Sequence, residues 1–222
     1  MTDLDVKPLW AVGSYADEHG RLAPWEISHD EINRDIGVAT QVLTELGVAG
    51  RRVLWCSMLS QAGQHWPYVC GTVLAGAKLS CADSTYGEAL RVSMFLRLMD
   101  YDAVFGVTPA LLDGLEASGR PLPEVFGGVR IVGAHPGAYE RLVAAGLAPW
   151  RVVLCGPAVA IGRAPGGPAY VPESEWELVD LGGLVGITGR QPRATSFIRT
   201  PIAVRGTIVA GGIVPEPVAP AA

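Results

Sequence analysis

Lysine is nearly missing from this chain: of 17 basic side chains only Lys7 and Lys78 are lysines, against 22 acidic residues and a net charge of −5. Such a chain offers no basic surface to neutralise a phosphate backbone, which argues against nucleic-acid binding. Cysteine is sparse as well. Cys56, Cys70, Cys81 and Cys155 lie in apolar runs without a C-x-x-C pair or a histidine at zinc spacing, so buried reduced thiols and no metal site are expected. No run approaches the ~18 apolar residues of a membrane span, and the first residues, Met-Thr-Asp-Leu-Asp, have neither the charged n-region nor the apolar h-region of a secretory signal. A cytoplasmic location follows as the expectation. G-x-S-x-G, H-E-x-x-H and a strand-linked G-x-G-x-x-G are also missing, which argues against hydrolase, zinc-protease and Rossmann chemistry.

What is present is an α/β pattern. Apolar residues make up 49% of the 222, charged residues only 18%, and 28 glycines and 17 prolines divide the chain into short elements. After an N-terminal arm or ribbon to about Trp25, Ser28 and Glu31 form a capping-box pattern ahead of Ile32, Ile36, Ala39, Leu43 and Leu46 at helical spacing, with Gly47 as the stop. Short apolar strands at 53–56, 78–81, 103–107, 129–132 and 151–155 alternate with helical periods, and Thr108-Pro109 opens one helix as N-cap and first residue. This alternation predicts βαβ units, a mostly parallel sheet and flanking helices. From Gly156 the pattern changes to a Gly/Pro-rich turn region over 156–168 and then β-rich runs at 175–179, 183–187 and 207–209. The expected division is an α/β part (1–155), a small β-rich C-terminal portion packed on it (156–214) and a tail (215–222).

The order of these pieces resembles adenylate-forming enzymes, the acyl-CoA synthetase (AMP-binding) superfamily, and most closely its phenylacetate-CoA ligase-like branch. The family's "LG…GDRV" has its counterpart in Leu46-Gly47-Val48-Ala49-Gly50-Arg51-Arg52-Val53, followed by Trp66-Pro67-Tyr68, Ala75-Gly76-Ala77 and Val107-Thr108-Pro109. Val152-Val153-Leu154-Cys155-Gly156 is similar to "VVLGGE" beside the adenine, and Leu184 to Arg190 with Ser196-Phe197-Ile198-Arg199 is similar to "ELVLT…R…PLIRYRTGD". The likeness is discontinuous and spans most of residues 28–209.

Its departures matter as much. The glycine- and Ser/Thr-rich phosphate loop "SGTTGxPKG" and the "YGxTE" segment are missing, and Val204 stands where the family's ribose-binding aspartate would be. Adenylation also concentrates negative charge on the leaving pyrophosphate, usually met by a lysine of a C-terminal lid. Both lysines here precede residue 80, and no lid is expected. A truncated, non-catalytic binding, scaffold or regulatory subunit in acyl-CoA, aromatic-acid or natural-product metabolism is therefore expected, with AMP or CoA, an acyl-CoA or a carboxylic acid as possible ligand. The alternative is a remodelled ligase that needs a partner chain. Uncovered sheet edges imply a homodimer or a partner enzyme.

The ligand-binding candidates are Gly156 and Pro157 at the adenine-side position, Arg199 as the family arginine, and the histidines His65 and His135. Each has an ordinary structural reading beside the functional one: a surface histidine for His65, a strand-end turn for His135, an ion pair for Arg199.

Overall fold

The computed structural model describes residues 8–217. Strands β1 (Leu9–Ala16) and β2 (Leu22–Ser28) form an antiparallel ribbon that leads into α1 (His29–Glu45). Ser28 caps that helix as its sequence predicts. The Glu31 N–H donates to the Ser28 hydroxyl at 3.3 Å, the Ser28 N–H donates to the Glu31 carboxylate at 2.8 Å, and Gly47 leaves the helix at φ 71°.

The α/β part then runs β3 (Arg52–Cys56), α2 (Ala62–Leu74), β4 (Lys78–Ala82), α3 (Ala89–Leu98), β5 (Ala103–Val107), α4 (Pro109–Ala117), α5 (Leu122–Phe126), β6 (Ile131–Ala134), α6 (Ala138–Ala144) and β7 (Trp150–Cys155). Neighbouring strands in the order β4-β3-β5-β6-β7 are all parallel. Helices α1 and α2 close one face over Leu43, Trp55, Phe105 and Ile131; α3 to α6 close the other over Leu54, Val104, Leu111 and Phe126. Both faces being covered explains why these strands read as continuous apolar runs rather than alternating ones.

Beyond β7 the sheet continues instead of giving way to a separate layer. Strand β8 (Ala158–Gly162) returns antiparallel to β7, and β9 (Ala169–Tyr170), β10 (Trp176–Asp180), β11 (Leu184–Gly189), β12 (Thr200–Val209) and β13 (Gly212–Pro215) extend it to eleven strands in the order β10-β11-β12-β13-β9-β8-β7-β6-β5-β3-β4. The stretch 156–168, expected as turn from its glycines and prolines, holds β8. Its run Ala-Val-Ala-Ile is entirely buried, so the hydrophobic effect overrides the flanking turn formers. Similarly, the proline-rich segment after residue 120 winds into α5, with Pro123 in its first turn. Of the expected tail, Pro215 closes β13, and residues 218–222 lie outside the described range. The thiols divide two ways: Cys56 and Cys155 are buried as expected, but Cys70 is half-buried and Cys81, on the sheet edge, is exposed. No helix among the described residues is long and apolar enough to cross a membrane.

One residue in β5 makes a sharp demand on the chain. Gly106 sits at φ 84°, and a Cβ there would collide with the Cys56 carbonyl oxygen of the neighbouring strand. Gly106→Ala should therefore cost roughly 2–4 kcal/mol in urea unfolding, strain and collision together. Gly119, at φ 70° with nothing within 4 Å, is the control, and its alanine variant should cost only about 1–2 kcal/mol. Equal losses at the two positions would refute the steric account.

Candidate functional site

In an open parallel sheet, the C-terminal ends of the strands form a crevice where the strand order reverses. Here that point lies between β3 and β5, because the chain goes outward to β4 and then crosses back. Three loops meet there. Ser57, Met58 and a 3-10 turn (Leu59–Gln61) follow β3, Asp83 and Ser84 follow β4, and Thr108 follows β5. The Thr108 hydroxyl accepts the Leu111 N–H at 3.2 Å as the N-cap of α4 and donates to the Ser84 carbonyl, tying two of these loops together. His135, just past β6, donates its N–H to the Val107 carbonyl at 2.9 Å.

The structure brings His65 and His135 together. The rings meet edge to face with centroids 5.9 Å apart at 84°, and His65 also packs 5.9 Å from Trp55. His65 is 1% exposed and His135 8%, so the surface reading of His65 is replaced by a buried one: α2 packs that side against the sheet. Burial first, and then the neighbouring His135, pushes the His65 pKa down to about 3. Burial lowers His135 to about 4, while a hydrogen bond with the Val152 backbone pulls the other way. Both imidazoles are neutral at pH 7. A general base works best with a pKa near the working pH, so this pair is poorly matched to proton abstraction and well matched to lining an apolar site. Neither ring nitrogen of His65 has a hydrogen-bond partner among the described residues.

The pair divides two cavities. One, of about 340 Å³ and mostly apolar, is walled by His65 with Met58, Leu59, Trp66, Val69, Cys81, Asp83 and Arg91. The other, of about 480 Å³, is walled by His135 with Gln61, Thr108, Pro136, Val153, Val204, Arg205 and Glu216. Both volumes fall in the range of small-molecule sites. The second is the more polar, with Gln61, Thr108, Arg205 and Glu216 in its lining.

The remaining candidates lie elsewhere. Gly156 and Pro157 form the turn between β7 and β8, with Gly156 at φ 64° and both residues buried. The Gln64 amide donates to the carbonyls of Gly156 (3.3 Å) and Ser14 (2.8 Å), tying the turn to the ribbon. Pro157 walls a pocket of only about 30 Å³, room for one water. Arg199 is exposed at φ 49° before β12, and its N–H donates to the Thr188 hydroxyl at 2.9 Å. Its guanidinium makes no ion pair among the described residues, so the structural pairing expected of it is not observed.

That pairing belongs to Arg193, which the sequence did not single out. Its guanidinium bonds Asp35 through both nitrogens (2.9 and 2.8 Å), reaches Glu175 at 2.7 Å and Glu31 at 3.7 Å, and lies 3.8 Å over the Trp176 ring. Arg34 adds a second bond to Glu175 at 2.8 Å. Glu31 thus serves twice, capping α1 and accepting the Ala194 N–H at 2.9 Å. This network fastens the loop after β11 to the first two turns of α1. Nothing in local spacing signals it, because its members are 141 to 163 residues apart across the helix–loop divide.

No family model matches the chain, and no curated protein sequence matches it. Solved structures do. A 2-hydroxyisobutyryl-CoA ligase in complex with 2-HIB-AMP and CoA superposes with a TM-score of 0.62 at 16% identity, over 87% of this chain and 46% of its own. An o-succinylbenzoate CoA synthetase from Bacillus subtilis, bound to a product analogue, gives 0.61 at 13% identity over 93% and 48%. The N-terminal subdomain of Klebsiella oxytoca NpsA in complex with 3-hydroxyanthranilyl-AMSN gives 0.64 at 14% over 92% and 61%. The chain spans about half the length of the structures it matches. At these identities the likeness establishes architecture: the chain has the fold of the N-terminal part of acyl-CoA synthetases.

Proposed function

We propose that this chain is a non-catalytic acyl-CoA synthetase-like binding protein, a regulatory or scaffold subunit in acyl-CoA, aromatic-acid or natural-product metabolism. The ligand class is a carboxylic acid or its CoA thioester. The observation that carries this reading is the pair of cavities at the strand ends, divided by two histidines whose burial keeps them uncharged. The mostly apolar cavity on the His65 side suits an acyl or aryl group. On the His135 side, Gln61 and Arg205 suit its polar end, with Glu216 in the same wall.

The lack of catalysis is inferred from the phosphate side. No glycine- and Ser/Thr-rich loop occurs anywhere in the sequence, and Lys78, on the sheet edge, is the one lysine among the described residues. Pyrophosphate departure would therefore lack the backbone cradle and the lysine charge that stabilise it in the family the chain resembles.

Thermal unfolding with a panel of aryl and fatty acids, their CoA thioesters, CoA, AMP and ATP tests the proposal. A ligand at a hundredfold excess over its Kd raises stability by about 2.7 kcal/mol. At least one acid or thioester is expected to do so, and Ala62→Trp, which adds bulk at the cavity wall beside His65, is expected to abolish the shift. Release of pyrophosphate by the chain alone, from ATP and an acid, would instead establish a ligase. Pyrophosphate release only in the presence of a second protein would favour an enzyme completed by a partner chain.

A further inference from the structure

The open edge of the sheet carries the second inference. Among the described residues strand β4 pairs only with β3, so the five residues Lys78–Ala82 present an unpaired row of backbone groups at the end of the eleven strands. Of the two flanking helices, α2 carries no Asp, Glu, Lys or Arg, and α3 carries two exposed arginines, Arg91 and Arg97. Of the sixteen large apolar side chains exposed among the described residues, ten fall between residues 58 and 100. On α2, Trp66 and Val73 are 44% and 54% exposed, seven residues apart on one helix face; on α3, Leu90, Met94 and Leu98 repeat every fourth residue at 64%, 42% and 66%. The two helices lie on opposite faces of the sheet, so the edge strand is bracketed by apolar surface on both sides. Natural edge strands are usually guarded by charge or a covering element, and apolar patches of this kind mark association surfaces.

Charge indicates what covers it. Between residues 58 and 100 three cations, Lys78, Arg91 and Arg97, are matched by three carboxylates, Asp83, Glu88 and Asp100. The segment is neutral, although the whole chain carries −5. A partner selected by opposite charge would require one sign here, whereas a neutral, mixed-sign surface meets its own copy without repulsion. The signs are also placed for a two-fold. Lys78 starts β4 and Asp83 follows its last residue, so antiparallel pairing of β4 with its copy brings each lysine towards the partner's Asp83.

We propose that the chain forms a two-fold homodimer by edge-to-edge pairing of β4, flanked by α2 and α3 of both copies. The cavity on the His65 side opens on this same surface, since Leu59, Trp66, Cys81 and Arg91 belong to both. The second copy therefore closes the mouth of the cavity. The proposal does not depend on the identity of any ligand.

Light scattering coupled to gel filtration over a dilution series tests it. Twice the monomer mass is expected for the full chain. The double variant Val73→Glu/Met94→Glu should run as a monomer with an unchanged melting cooperativity, since both side chains already face solvent. Val143→Glu, an exposed apolar position on α6, should remain dimeric. In a Cys70→Ser background a short bismaleimide should join Cys81 to the partner's Cys81, because this exposed thiol lies on the edge strand. A monomeric wild type, a dimer that survives the double glutamate variant, or an open-ended assembly would each overturn the proposal. A dimer that binds none of the acids or thioesters would leave it standing and count only against the ligand proposal.

Discussion

Arg193→Ala destabilises the fold by about 3–5 kcal/mol in urea unfolding, the loss that follows when one partner of a buried ion pair is removed. The side chain is 4% exposed and stands among Glu31, Asp35 and Glu175, of which Glu31 and Glu175 are 2% and 4% exposed at the side chain. Without it three carboxylates face one remaining cation, Arg34, itself 30% exposed and bonded to Glu175 alone among them. The stacking over Trp176 is lost as well, and cation–π contacts contribute about 0.5–2 kcal/mol. Arg193→Lys separates charge from geometry. It restores the charge but not the planar fork that spans Asp35 with two nitrogens, so it should recover part of the loss and no more. A loss under 1 kcal/mol for the alanine variant would show that the loop after β11 is held by packing alone.

Acidification below neutral pH produces the second large effect. In the unfolded chain both histidines titrate near 6.5, whereas in the fold His65 is lowered to about 3 and His135 to about 4. Between these limits the unfolded state binds more protons, so stability falls as pH drops through 6.5 and the fall levels off only near pH 3–4. The sign is that of a group buried neutral. Stability is greatest above pH 6.5 and gains nothing further from these two residues at higher pH. Each histidine contributes up to about 1.4 kcal/mol per pH unit, so by pH 4.5 the pair removes several kcal/mol, a large share of the 5–15 kcal/mol typical of a domain. His65→Phe keeps an aromatic ring against Trp55 and removes one titration; its unfolding free energy should fall with about half the slope over pH 6.5–4.5. An unchanged slope would mean that His65 titrates alike in the folded and unfolded states.

These two results bear on the site as well as on stability. The histidine pair walls both cavities, so protonation that opens the fold also dismantles the proposed ligand site. The Arg193 network is different. It orders the loop from Arg190 to Arg199 without entering either cavity, so Arg193→Lys should lower stability while leaving ligand affinity nearly unchanged.

The N-terminal α/β part could be read closely from sequence because its signals are local. A capping box at Ser28, an N-cap and proline at Thr108-Pro109, and continuous apolar runs at 53–56 and 103–107 each depend on neighbours within about one helical turn or one strand. The C-terminal part was less legible. Strand β8 was hidden by the glycines and prolines on either side of it, and its pairing with β7 joins the two parts into a single sheet, which composition does not reveal.

The sequence by itself determined the fold class, the alternation of strand and helix, the caps, and the lack of a phosphate loop and of lysine, because each of these is a property of adjacent residues. It also marked His65 and His135, but as separate residues 70 positions apart. Only the tertiary structure decided that they touch, since that follows from packing α2, which carries His65, against the sheet beside the end of β6, which His135 follows. The same holds for Arg193. Two of its carboxylate partners, Glu31 and Asp35, come from α1 far away in the chain and the third, Glu175, lies 18 residues back, and the charge becomes structural only once packing removes the water that would otherwise solvate it.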